Sequence, residues 1–172
     1  TQTLRNAANS YSGGTVVSSG ALVVGADSAI GTSPLNIGAA SFSSDGSNPR
    51  VITNALTFSG NATLGNAASN GAITFSGDLN YGGAGRTLIV ASPVTLKGNS
   101  QLSAGGLAAK VGSATLTLQN NILNWISAME VHDGTLVVDG ATWTNGGSLR
   151  SASTVPNGTA TLLITNGAYV II

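Results

Sequence analysis

The chain has 172 residues, 7% charged and 42% hydrophobic, with six Lys and Arg balanced by six Asp and Glu and no cysteine. That length fits one domain, and the apolar fraction excludes a disordered chain, which lacks the β-branched and aliphatic residues needed for a core. The basic residues Arg5, Arg50, Arg86, Lys97, Lys110 and Arg150 are scattered, which leaves no footprint for nucleic acid, and the lack of cysteine excludes disulfides and thiolate metal sites.

Short runs of period-2 alternation, bounded by Gly, Asn or Ser, predict strands at Thr15 to Val17, Ala21 to Val24, Ala55 to Phe58, Ala72 to Phe75, Thr87 to Val90 and Val94 to Leu96. They continue at Ala114 to Leu118, Met129 to His132, Thr135 to Val138, Thr161 to Thr165 and Ala168 to Ile172. Gln119 to Val131 is the best stretch for a helix, but it lacks caps and reads as a loop or single turn. Ser41 to Arg50 reads as a loop around Asp45-Gly46-Ser47-Asn48-Pro49, which is strong turn chemistry.

Two echoes indicate internal repetition. Ser19-Gly20-Ala21-Leu22-Val23-Val24 matches Asp133-Gly134-Thr135-Leu136-Val137-Val138, and Asn166-Gly167-Ala168-Tyr169-Val170-Ile171 has the same turn-then-strand order. A Gly or Asn before each strand suits a corner that needs a positive φ, although the same dipeptides serve hairpins, so the rival fold is an antiparallel sandwich. Gly, Ser, Thr and Asn supply 80 of the 172 residues, so the exterior is covered by neutral polar groups.

Residues Leu4 to Ile37 resemble the autotransporter-associated β-strand repeat of bacterial passenger proteins. The likeness rests on Asn9-Ser10-Tyr11-Ser12-Gly13-Gly14-Thr15, then Ser19-Gly20-Ala21-Leu22-Val23-Val24, then Ser28-Ala29-Ile30-Gly31 and Pro34-Leu35. It implies a right-handed parallel β-helix, an all-β solenoid of roughly eight coils at about 20 residues per coil, filling residues 1–172 as one domain. Leu22, Val24, Leu56, Phe58, Ile73, Phe75, Leu116, Leu118, Leu136, Val138, Leu162 and Ile164 are the expected inward ladders.

Chemistry-bearing residues are few. Met129-Glu130-Val131-His132-Asp133 places Glu130 and His132 on one face of a strand, which a metal or acid/base site would need, but a solvent-facing pair accounts for it equally. The acids Asp27, Asp45, Asp78, Glu130, Asp133 and Asp139 offer no clear carboxylate pair for glycoside chemistry. Gly82-Gly83-Ala84-Gly85-Arg86 lacks the Lys-Ser/Thr and the helix of a phosphate loop. Trp125, Tyr81 and His132 are the candidates for surface contact, including glycan stacking by the aromatics, while Trp143 reads as core. The pairs Thr1/Thr3, Thr115/Thr117, Thr142/Thr144 and Thr159/Thr161 raise an ice-binding array, but their irregular spacing argues against a flat ladder. Asn61-Ala62-Thr63 and Asn157-Gly158-Thr159 are formal glycosylation sequons.

No run approaches the roughly 18 apolar residues of a membrane span, and Thr1 to Arg5 lacks the layout of a signal peptide, so the chain reads as a mature or internal piece. Tyr169, Val170, Ile171 and Ile172 form an uncapped apolar strand, expected either to continue into further repeats or to stack end to end on another copy. The expectation is a non-catalytic, cofactor-free structural module, secreted or at a cell surface, in a fibre, sheath or stalk. An adhesin or glycan-recognition module is the alternative, and a polysaccharide-degrading enzyme ranks third.

Overall fold

The computed structural model describes residues 1–100, 105–125, 128–145, 147–154, 156 and 158–171. Among them are nineteen strands and no helix. In chain order the strands are β1 Gln2–Leu4, β2 Thr15–Val24, β3 Leu35–Ser44, β4 Arg50–Ile52, β5 Leu56–Phe58, β6 Ala62–Leu64, β7 Ile73–Phe75, β8 Leu79–Asn80, β9 Gly85–Val90 and β10 Val94–Leu96. They continue with β11 Gly106–Val111, β12 Thr115–Gln119, β13 Ile122–Trp125, β14 Met129–Val131, β15 Gly134–Asp139, β16 Thr142–Asn145, β17 Leu149–Ser151, β18 Ala160–Thr165 and β19 Tyr169–Ile171.

Each of these strands pairs in parallel with the strand one turn away, for example Gln2 with Leu22 and Leu116 with Leu136, offsets of 20 residues. The result is a right-handed parallel β-helix of about seven turns. The antiparallel sandwich is thereby overturned, because no hairpin-type pairing connects consecutive strands. The turn count falls below the expected eight because some turns are longer, with 26 residues separating Ala62 from its partner Leu88.

Three faces run up the rod. The first carries β1-β2-β3-β6-β9-β11-β14-β17, and the second carries β4-β7-β10-β12-β15-β18. The third starts with the first halves of β2 and β3, on which β5 and then β8 stack, and continues through bridges from Ser100 to Leu79 and Leu123 into β13-β16-β19. Strand alternation turns one residue in two toward the axis, and register stacks like on like. The inward files are Ile73-Val94-Leu116-Leu136-Leu162, Ile52-Phe75-Leu96-Leu118-Val138-Ile164 and Leu22-Phe42-Leu64-Val90.

Eleven of the twelve expected ladder residues pack in this core, ten buried and Leu162 partly so. Ile164 keeps its register above Val138 but is 48% exposed, because no described coil lies over it. Two expected loops are largely strand. Ser41 to Ser44 continue β3, leaving only a bend at 45–48, and the Gln119 to Val131 stretch contains β13 and reaches into β14.

Candidate functional surfaces

Tyr81 is no surface contact. Alternation from inward Leu79 and outward Asn80 turns Tyr81 into the core, where it is fully buried and its ring stacks on Phe58 with centroids 5.5 Å apart. Burial raises its phenol well above the usual range. Trp143 is also fully buried, following Leu123 in the third face. The backbone of Trp125 ends β13 opposite Asn145, and its side chain lies outside the described residues.

His132 is part-exposed beyond the end of β14, with Nε2 2.6 Å from Glu130 Oε2. Register stacks Glu130 beneath Arg150, whose Nη1 is 3.9 Å from Oε1. The hydrogen bond from His132, assisted by the charge of Arg150, holds the Glu130 carboxyl below the usual range. Asp133 follows at the corner, its main-chain carbonyl accepting from Lys110 Nζ at 2.6 Å. Asp139, on the second face, accepts from Gln119 Nε2 at 2.7 Å and from Asn166, which keep its carboxyl ionised to lower pH. The Glu130 and Asp139 carboxylates therefore have separate partners on separate faces. Among the described residues no three of His, Cys, Asp and Glu gather as a metal-ligand set.

A feature that sequence reasoning missed is Lys110. It occupies an inward position between Leu88 and Val131, is fully buried, and donates to the carbonyls of Gly112 and Asp133. Desolvation lowers its pKa to about 8, against the pull of Asp133. Its inward place is not legible in the sequence, because the ladder shifts register between Leu107 and Ala109 and breaks the alternation that would lead to Lys110.

The threonines give a second correction. Spacing along the chain is irregular, yet register aligns Thr74-Thr95-Thr117 in one outward file and Thr115-Thr135-Thr161 in the next. The files overlap on one turn only, at Thr115 and Thr117, and Val51, Val137 and Leu163 complete the first. The surface is a mixed methyl and hydroxyl ridge, one residue wide over most of its length.

No family model, curated protein or solved structure matches the chain. A groove of about 590 Å³ lies beside β4, bordered by Asp27, Thr32, Thr53 and Asn54. Asp27 Oδ1 accepts from the Val51 N–H at 3.0 Å, so a carboxylate already covers part of this strand edge. Tyr169, at 61%, and Ile171, at 44%, are the exposed outward residues of β19, while Val170 packs against the core. Ile172 lies outside the described residues. No helix is long and apolar enough to cross a membrane among the described residues.

Proposed function

We propose that this chain is a non-catalytic structural module of an exported protein, forming a length of β-helical fibre, sheath or stalk outside the cell. One observation carries the reading: aliphatic and aromatic files run from turn to turn inside, while Thr, Ser, Asn and Gly cover the outside with very few charges. Such a rod derives its stability from repetition and presents an uncharged polar wall, which suits a spacer better than a site of chemistry. The resemblance of residues 4–37 to the passenger repeat supports the same location. Immunogold labelling of intact cells of the source organism tests it. Label on unopened cells or in shed material is expected, and label only after permeabilisation would overturn the reading.

Glycan recognition is a second reading, favoured by the outward group on the third face. Ile122, Thr142 and Tyr169 stack in one file, with Asn124, Thr144 and Ile171 in the next, which sets an exposed ring beside hydroxyl and amide groups. Loss of glycan-array signal in Tyr169→Ala with an unchanged circular dichroism spectrum is the outcome that would favour it.

A further inference from the structure

The outward side of the first face is hollowed where β2, β3 and β6 stack. Inward Leu22, Phe42 and Leu64 are each followed by an outward position, and Val23, Ser43 and Gly65 form one file there, continued by Ala91 after Val90. Gly65 has a φ of +83°, and a Cβ on it would run into Ser92, so no side chain can stand next to Ser43 on that turn. The neighbouring outward file is Ala21-Ser41-Thr63. Small residues in both files leave a depression in an otherwise even wall.

The connection after β6 gives the depression a side. Its backbone folds on itself, with Asn70 N–H donating to the Asn66 carbonyl at 2.7 Å and Ala68 N–H to Asn66 Oδ1 at 2.9 Å, and Asn66 and Ala67 border the space. The hollow measures about 330 Å³. Ser43 lines it while only 5% exposed, and among the described residues its hydroxyl has no protein partner. The same is true of the Ser41 and Thr63 hydroxyls. Three unengaged hydroxyls therefore share one space with apolar surface from Val23, Ala67 and Ala91, and no charged residue lines it.

We propose that this hollow binds one neutral hexose unit, at the end or on a branch of a glycan. A hydroxyl both donates and accepts, so Ser41, Ser43 and Thr63 match the hydroxyls of a sugar ring, while its C–H edges suit the Val and Ala walls. Other ligand classes fit less well. An ion meets no counter-charge in the lining, and a purely apolar ligand would bury the three hydroxyls without partners. An extended peptide has no strand to lengthen, because the second half of β2, β3, β6 and β9 are each paired on both edges. The volume is at the small end for ligand pockets, which suits a single ring. With no aromatic platform in the lining, the affinity belongs in the millimolar range. The site lies on a different face from the group around Tyr169, and it rests on neither of the readings given above.

The test is an NMR titration of the isotope-labelled chain with methyl glucoside, methyl galactoside and methyl mannoside, each taken to tens of millimolar. At least one should move the amide signals of Ser41, Ser43, Thr63 and Gly65 along a saturable curve. Thr63→Val keeps the branched shape without the hydroxyl, and it should weaken binding about tenfold with the circular dichroism spectrum unchanged. Ser43→Ala should act in the same direction, whereas Tyr169→Ala should leave the affinity as it was. Shifts confined to β13, β16 and β19 would move sugar binding to the third face and overturn the proposal. So would the lack of a saturable shift with all three glycosides, or an affinity unchanged in both Thr63→Val and Ser43→Ala.

Discussion

Lys110 and Tyr81 are the two titratable groups that the core holds away from water, and they pull stability in opposite directions at different pH. The Lys110 ammonium has a folded pKa of about 8 against 10.5 in the unfolded chain, so between those values the unfolded state binds more protons and stability rises with pH. Neutral Lys110 still has two N–H donors for the carbonyls of Gly112 and Asp133, and the neutral form therefore fits the site. Tyr81 has a folded pKa raised above the ordinary 10, so its contribution is intact below pH 10 and is lost above it. Urea midpoints measured from pH 7 to 11 should climb from about pH 8, peak near 10 and then fall. In Lys110→Met the climb should be absent while the fall remains. The same residue illustrates what sequence could not say. Strand alternation shows that Lys110 and Tyr81 each have a face, but only register against Leu88 and Phe58 shows that the face is the inner one.

At the level of the elements, the corner leaving the second face shows how turns are held together. Asn54 Nδ2 donates to the carbonyls of Gly31 and Ser33 one turn earlier, at 3.1 and 2.6 Å, and Asn121 Nδ2 donates to Leu96 and Gly98 at 3.2 and 3.1 Å. Between them in the stack are Gly77 and Gly98, where a Cβ on Gly98 would run into the Gly77 carbonyl. The stack runs Asn54, Gly77, Gly98, Asn121, so two amides bracket two turns of bare backbone packed one on the other. Asn121→Ala should cost about 1–3 kcal/mol, because two buried carbonyls lose a donor. Gly98→Ala should cost at least as much, by forcing apart turns that have no slack. Both are read as shifts of the chemical denaturation midpoint. About half of the strands were legible, and alternation located β7, β10, β12 and β15 to within a residue or so. Alternation missed the short β1, β4, β8, β13 and β17, and also β3, β6, β11 and β16, whose Gly, Ala, Ser and Thr content mimics loops and becomes strand only because adjacent turns supply the hydrogen bonds.

Over the whole rod, charge has a small part. Among the described residues the ion pairs are Asp45 with Arg5 and Arg50, and Glu130 with His132 and Arg150, all near corners or on the surface. The Arg50 hydrogen bond, with Arg5 beside it, holds the Asp45 carboxyl below its usual range. The Arg5 and Glu130 pairs are exposed and worth little, while the Arg50–Asp45 pair, with both side chains mostly covered, is screened only weakly by salt. The thermal midpoint should therefore move by no more than a degree or two between 0.05 and 1 M sodium chloride, whereas Leu118→Asp, in the middle of an inward file, should abolish folding. The solenoid was read from short strands, from aliphatic residues in place of aromatics and from the likeness of residues 4–37 to the passenger repeat, since the turn dipeptides alone serve hairpins as well. The surface was not, because which polar residues lie side by side depends on turn lengths that no local pattern fixes, as the Thr74-Thr95-Thr117 file shows. Those lengths vary mostly on one edge. Between the first and second faces the connection takes two residues after β14 and three after β9, but eight after β6 and eight after β17, while the ladders on either side stay in step. Extra chain at that edge leaves the pairing untouched, whereas one residue added inside a strand would invert every side chain beyond it. The edge is thus a ready graft point: a foreign peptide spliced between Gly65 and Ala72 would be carried on the outside of the rod, at a fixed height, without the interior having to accommodate it.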